Sequence, residues 1–197
     1  IGKSLYENYG GYMAGKAEIR IEDLHEAFSR QDIRGIFCVK GGYSASQLLD
    51  KIDYELIKNN PKVFVGYSDV TNLHIVFNQK CNLGTYHGPM VKSNMINDFN
   101  DYTKASFFEA MEKNETKYEE PENMPLSILT DGNVSPDTIN GVLTGGNLAI
   151  IVTTLGTKYE IDTKDKTLFL EDVDEETGSL NRMLTHLKYA GKLDDCK

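Results

Sequence analysis

The sequence feature that most constrains the fold is a strand, a tight corner and a helix in residues 61–81. Residues 63–65 form a short apolar run, as in a buried strand, and Gly66 then lets the backbone turn. After the corner, apolar residues recur at helical spacing. These are Val70, Leu73, Val76 and Phe77. Ser68 lies at the corner, where its hydroxyl would point out of the carboxyl end of the strand at the start of a helix.

Two interpretations of Ser68 are open from this stretch alone. The N–H groups and partial positive charge of a helix N-terminus stabilise a developing oxyanion, so Ser68 could be a nucleophile. The stretch from Gly66 to Val70 keeps only the first glycine of the GxSxG nucleophile elbow. If Ser68 is a nucleophile at such an elbow, we predict a positive or otherwise strained φ angle for it. Serine and aspartate are also the ordinary residues that cap helices, so Ser68 or Asp69 could simply satisfy the first N–H groups of the helix.

Strands and helices alternate with short connections over residues 1–90, which predicts an α/β lobe with a parallel sheet and helices on both faces. A helix is predicted over residues 19–30. A continuous apolar strand follows over residues 35–39, and we expect it to be buried on both faces. Ligands bind outside the carboxyl ends of such strands. The residues after the first strand are Gly41, Gly42 and Tyr43, and His87 lies near the end of a third short strand.

Residues 91–139 are dominated by polar residues and punctuated by prolines, so we predict a connector that contains one helix at residues 102–113. Residues 140–197 are predicted to form part of a C-terminal α/β lobe. Periodicity does not decide between helix and strand for residues 148–155. A strand ends at Glu171, and an amphipathic helix follows with Leu184 and Leu187 at core positions.

Serine chemistry also needs a base, a group that orients the base, and donors for the oxyanion. The backbone N–H groups of Gly42 and Asp69 are candidate donors, and Glu171 could orient a base. The alternative for Glu171 is a solvated carboxylate in the acidic run of residues 171–176.

None of the four histidines is a convincing base. His25 is predicted to be solvated on the polar side of its helix. His74 lies six residues after Ser68, too far along the helix, and His186 lies within the last helix. His87 is the only histidine that we expect to line the site, and a locally hydrogen-bonded loop histidine is the alternative.

Composition excludes several classes of function. A net charge of −9 disfavours binding to nucleic acid or to an anionic membrane, since both require a basic face. The longest apolar run, residues 148–152, is too short to span a bilayer. The three cysteines show no CxxC spacing, and no HxxxH or HxH motif occurs, so we predict free thiols in a reducing, cytoplasmic compartment and no metal or other cofactor.

Five stretches in order resemble the L,D-carboxypeptidase family of serine peptidases, which also contains the microcin C self-immunity peptidases. They are residues 40–43, 60–71, 87–90, 143–148 and 168–172. The resemblance implies a Ser–Glu–His triad in which Ser68 is the nucleophile and Glu171 is the acid. Candidates for the substrate pocket are Gly41, Tyr43, His87, Gly145 and Asn147.

The family's triad histidine lies well downstream of the acid. We therefore expect this chain to be an internal fragment that lacks the family's first strand and its base, and to be inactive as it stands. The implied reaction releases the terminal D-alanine of a cytoplasmic murein tetrapeptide during peptidoglycan recycling, without a cofactor. A homodimer is possible, since the family is commonly dimeric.

Two alternatives stay open. The first is a microcin-immunity-type peptidase that acts on a peptidyl or aminoacyl nucleotide. The chain has no tryptophan to stack on a nucleobase, which mildly favours the murein peptide. The second is a non-catalytic α/β binding lobe in which Ser68 caps a helix.

Overall fold

The structure is a computed structural model that describes residues 1–113, residue 127 and residues 140–197. The helices are α1 (Ala17–Ser29), α2 (Tyr54–Asn59), α3 (Thr71–Cys81), α4 (Asp101–Glu112), α5 (Leu148–Val152) and α6 (Thr177–Tyr189). The strands are β1 (Gly35–Phe37), β2 (Val63–Gly66), β3 (Tyr86–His87), β4 (Val142–Asn147) and β5 (Lys166–Glu171). Short 3₁₀ turns occupy Lys3–Tyr6, Ala45–Leu48 and Ser68–Val70, and a π-helical turn occupies Val91–Met95. Residues 91–113 and 127 of the predicted connector are described, and α4 lies where the helix at residues 102–113 was predicted. The rest of the connector, including its three prolines at 121, 125 and 136, lies outside the described residues.

The first sheet has the order β1-β2-β3, and both pairings are parallel. Val65 pairs with Phe37 on one side and with Tyr86 on the other, so the apolar run ahead of the corner is the central strand. The expectation that the first strand is buried on both faces is wrong. The strand ends at Phe37, and 41% of that residue is exposed because its ring meets α4 only edge-on, at Phe107.

Helices cover both faces of this sheet, as predicted. On one face, Phe64 of β2 packs against Phe28 of α1 and Phe77 of α3, with ring centroids 6.4 and 5.0 Å away. On the other face, the ring of Phe107 in α4 lies 6.1 Å from that of Phe37. The two faces follow the alternation of side chains along a strand, which sends neighbouring residues to opposite sides.

The second unit contains the parallel pair β4–β5, with α5 and α6 packed beside it. Residues 148–155, which periodicity left open, begin with α5 directly after β4. On α6, Leu187 is fully buried whereas Leu184 is 41% exposed, so the expectation that Leu184 belongs to the core is wrong. The buried side of α6 follows Leu180, Met183 and Leu187 at i, i+3 and i+7, and Leu184 lies beside that stripe.

Helix α3 belongs to both hydrophobic cores. Every residue of α3 from position 71 to 77 is buried. Leu73, Val76 and Phe77 pack in the core of the first sheet, whereas Ile75 packs with α5 and α6. The helix that begins after Ser68 is therefore held on all sides, and it joins the two sheets.

We expect Phe64→Ala to lower the free energy of unfolding by about 3–5 kcal/mol, because it leaves a cavity among fully packed rings. Urea denaturation of the purified protein measures this change. Phe37→Ala is the matched control, since that partly exposed ring should cost less than half as much. Equal losses in the two variants would contradict the assignment of the core to the α1–α3 face.

Candidate active site

Ser68 occupies a strained corner. Its φ angle is +61°, which is left-handed backbone that serine rarely adopts, at a cost of about 1–2 kcal/mol. The sequence-based prediction of a strained Ser68 is confirmed. Among the described residues, no side-chain hydrogen bond caps the turn Ser68–Val70 or α3. The structure therefore does not support the interpretation of Ser68 or Asp69 as the cap of its own helix.

The loop after β1 lies directly against Ser68. A Cβ atom built on Gly41 would be 3.1 Å from both Cβ and Oγ of Ser68. A Cβ on Gly42 would lie 3.5 Å from Oδ2 of Asp69. The structure thus brings together the two loops that the sequence analysis placed at one edge of the sheet. Tyr43, the next residue, is 84% exposed.

The carboxylate of Asp69 has a partner that the sequence analysis missed. Asp69 is buried, and its Oδ2 accepts the N–H groups of Ser44 and Ala45 at 2.8 and 2.9 Å. Asp69 thus caps the 3₁₀ turn Ala45–Leu48. This turn follows the loop that carries Gly41 and Gly42, the glycine loop. No local pattern signals this contact, because the partners lie 24 and 25 residues apart in the chain.

His74 holds the backbone just ahead of the corner. Its Nε2 lies 2.8 Å from the carbonyl oxygen of Gly66, and its Nδ1 lies 2.8 Å from Oγ1 of Thr85. The carbonyl can only accept, so Nε2 carries the proton and Nδ1 accepts from the threonine hydroxyl. Burial lowers the pKa of His74 to about 4, which keeps the ring neutral. Both ring nitrogens are thus occupied. In the sequence, the sign of this structural role is the position of His74 within an apolar helix.

Glu171 and His87 face each other across the two sheets. His87 pairs with Gly66 in the first sheet, and Glu171 pairs with Asn147 in the second. Oε1 of Glu171 lies 3.7 Å from Nε2 of His87, beyond hydrogen-bond length. That oxygen is buried and has no hydrogen-bond partner among the described residues. The Glu171 side chain is only 23% exposed, so it is not the freely solvated carboxylate of the alternative interpretation.

This environment favours the neutral form of both groups. Burial raises the pKa of Glu171, the Asn147 side chain opposes the rise, and Asp172 adds to it. Burial lowers the pKa of His87. The His87 ring contacts Phe169 edge-on, with centroids 5.3 Å apart. A cavity of about 300 Å³ opens beside His87, and His74, Thr85, Gly145 and Phe169 contribute to its wall.

Asn147 and Gly145, two further candidates for the substrate pocket, have structural roles. The Asn147 side chain accepts the N–H of Ile150 at 3.1 Å, which caps α5, and donates to Oδ1 of Asp172 at 3.0 Å. A Cβ on Gly145 would overlap the carbonyl oxygen of Phe169, so this position requires glycine. Their roles in binding a substrate, and those of Gly41, Tyr43 and His87, stay predictions.

The other two histidines lie elsewhere. His25 is partly exposed on α1, and its Nε2 accepts the N–H of Asp53 at 2.9 Å. His186 is exposed on α6. In the described ranges, His, Cys, Asp and Glu side chains form no group of three or more that could hold a metal ion. The same ranges contain no helix with the length and apolar character needed to cross a membrane.

The fold and this corner together define a parallel α/β protein with a strained serine at the start of a central helix. Residues 1–88 match the LD-carboxypeptidase N-terminal domain, and residues 140–197 match the LD-carboxypeptidase C-terminal domain. The chain belongs to the LD-carboxypeptidase family.

Relatives and solved structures agree with this assignment. The chain is 42% identical over 196 residues to the "Probable murein peptide carboxypeptidase" of Bacillus subtilis, covering 99% of this chain and 59% of that protein. The muramoyltetrapeptide carboxypeptidase of Oxalobacter formigenes superposes with a TM-score of 0.79 at 29% identity, covering 94% of this chain and 60% of that one. The microcin C7 self-immunity protein MccF superposes with a TM-score of 0.84 at 24% identity, covering 99% and 64%. This last likeness shows the fold alone.

The neutral, buried His74 predicts a pH dependence of stability. Its pKa is lowered to about 4 in the folded protein, so between about pH 4 and 6.5 the unfolded chain binds the extra proton. Stability should therefore fall as the pH drops through this window, by up to about 1.4 kcal/mol per pH unit.

Thermal or urea unfolding at a series of pH values tests this expectation. His74→Gln, which keeps a donor and an acceptor, should flatten the dependence, whereas the exposed control His186→Gln should leave it unchanged. An unaltered slope in His74→Gln would contradict the neutral buried imidazole.

Proposed function

We propose that Ser68 is the nucleophile of a serine-type L,D-carboxypeptidase that releases the terminal D-alanine of a murein tetrapeptide. The observation that carries the proposal is the strained Ser68, which lies at the start of α3 with the backbone of Gly41 against its hydroxyl. Strained backbone of this kind costs folding energy and clusters at functional sites. The murein peptide carboxypeptidase relative supports the choice of substrate. The chain spans about 60% of the length of such relatives, so the activity is proposed for the full-length protein.

Glu171 is the proposed acid of the triad. Its Oε1 is buried, lies at the carboxyl end of β5 and lacks a hydrogen-bond donor among the described residues. Buried carboxylate oxygens are rarely left unpaired, and an imidazole N–H would satisfy this one. We place the base on a histidine outside these 197 residues, as the resemblance to the family implies.

The proposed reaction uses side chains and backbone groups. Oγ of Ser68 attacks the carbonyl carbon of the L,D-amide, and the histidine takes the hydroxyl proton. The N–H groups of Gly42 and Asp69 stabilise the oxyanion that forms. The histidine, oriented by the carboxylate of Glu171, then gives the proton to the leaving amine of D-alanine. Water then attacks the carbonyl carbon of the acyl-enzyme while the histidine takes a proton from it. The ester bond to Oγ breaks, the histidine returns the proton to Oγ of Ser68, and the shortened peptide leaves with a free carboxyl group.

Ser68→Ala in the full-length protein should reduce D-alanine release from murein tetrapeptide by at least about 10³-fold, since the nucleophile is lost. A coupled D-amino-acid oxidase assay measures the release, and the unfolding midpoint reports whether the fold survives. The control is Ser29→Ala, at the exposed end of α1, which should be as active as wild type. Unchanged turnover in Ser68→Ala would refute the serine mechanism, and a processed microcin analogue assayed in parallel separates the two substrate classes.

Gly41→Ala should lower kcat/KM by about tenfold or more while the fold survives, because the new methyl group would press on the reacting hydroxyl. The φ angle of Gly41 is not in the left-handed region, so alanine brings no backbone strain. Steady-state kinetics with the tetrapeptide measure the loss. The matched control is Gly178→Ala in α6, where a Cβ would meet open space. Wild-type kinetics for Gly41→Ala would contradict the close approach of Gly41 to the reacting hydroxyl.

A further inference from the structure

The loop that carries Gly41 and Gly42 has little regular structure of its own. It joins β1 to the 3₁₀ turn Ala45–Leu48, and Tyr43 within it is 84% exposed. If the N–H of Gly42 is to stabilise an oxyanion, something must hold this loop at a fixed distance from Ser68. Preorganised donors are effective because they need no reorganisation during the reaction.

Two side chains, those of Asp69 and Arg20, form hydrogen bonds with Ser44 at the end of this loop. The N–H of Ser44 donates to Oδ2 of Asp69 at 2.8 Å, and the N–H of Ala45 donates to the same oxygen at 2.9 Å. In addition, Nη1 of Arg20 donates to the carbonyl oxygen and to Oγ of Ser44, at 3.1 and 2.9 Å. Nη2 of Arg20 donates to Oε1 of Gln47 in the turn that follows, at 2.9 Å.

Asp69 is the residue directly after the proposed nucleophile. Its carboxylate therefore links the corner at Ser68 to the loop that carries Gly41 and Gly42. Asp69 is only 6% exposed, and its Oδ2 lies close to the position of Gly42 as well. Hydrogen bonds from N–H groups to a buried carboxylate are about twice as strong as those between neutral groups. A shift of the glycine loop would break two of them together.

We propose that the Asp69 carboxylate is a positioning group that fixes the loop carrying Gly41 and Gly42 against Ser68, with Arg20 as a second side chain that holds Ser44. This role rests on the proposed function for its effect on turnover. It differs from the expected role of the Asp69 backbone N–H, because it acts through the loop and not on the substrate. The consequence is that loss of the carboxylate should reduce kcat more than it raises KM.

The test compares Asp69→Ala and Asp69→Asn with Asp53→Ala in the full-length protein. Asp53 is the matched control because it also caps a helix: its Oδ1 accepts the N–H of Leu56 at 2.9 Å. Each alanine variant therefore removes one capping carboxylate. Amide hydrogen exchange at Ser44 and Ala45 reports the bonds to Asp69 directly, and steady-state kinetics with murein tetrapeptide report their effect.

In Asp69→Ala we expect lost protection at Ser44 and Ala45, and kcat lower by about 10- to 100-fold with KM within about threefold of wild type. Asp69→Asn keeps the shape and one acceptor oxygen, so it should lie between Asp69→Ala and wild type, and it serves if the alanine variant does not fold. Asp53→Ala should keep wild-type kcat and the protection of both amides.

Wild-type kcat in a folded Asp69 variant that has lost the protection would overturn the positioning role. Unchanged protection in the same variant would overturn the contact itself. A wild-type protein that releases no D-alanine would refute the proposed function, and the exchange result would then decide on its own whether Asp69 holds the loop.

Discussion

The burial of α3 on all sides is the constraint on which the rest of the structure depends. An unsatisfied buried polar group in such a helix costs about 1–3 kcal/mol, and α3 leaves Oδ1 of Asn72 without a partner among the described residues. Thr71 and His74, in contrast, have partners outside the helix. Oγ1 of Thr71 accepts the N–H of Asn147 at 3.0 Å, which docks the second sheet, and His74 bonds to Gly66 in the first. The polar side chains of α3 thus help to fix the distance between the first sheet, which leads to Ser68, and the second sheet, which carries Glu171.

The strain at Ser68 is contained by its neighbours. His74 holds the carbonyl of Gly66 on the strand side of the corner, and Asp69 holds the loop after β1 on the other. The absence of a side chain at Gly41 leaves room beside the hydroxyl, since a Cβ there would lie 3.1 Å from Oγ of Ser68. Left-handed serine backbone persists only where the surroundings determine it in this way. Two of the side chains that shape the corner, those of His74 and Asp69, therefore act by bonding to backbone groups of the protein.

The position of Glu171 depends on the close approach of β4 to α3. Glu171 ends a strand whose partner, β4, is fixed by Gly146, where a Cβ would lie 2.7 Å from Oγ1 of Thr71. This close approach places the carboxyl end of β5 opposite that of β3, so Glu171 and His87 meet although they belong to different sheets. A half-buried carboxylate with an unpaired oxygen is poorly stabilised as an anion, which agrees with its raised pKa.

The sequence alone determined the parallel α/β architecture, the helix after Ser68 and the sheet edge that Ser68 shares with Gly41 and Gly42. These follow from short-range periodicity and from the rule that parallel strands end at one edge. The tertiary structure alone decided what the polar side chains do. The cap from Asp69 to Ser44 and the tie from His25 to Asp53 join residues 25 and 28 positions apart. A single sequence carries no signal for such pairs, because they form only when packing brings distant segments together.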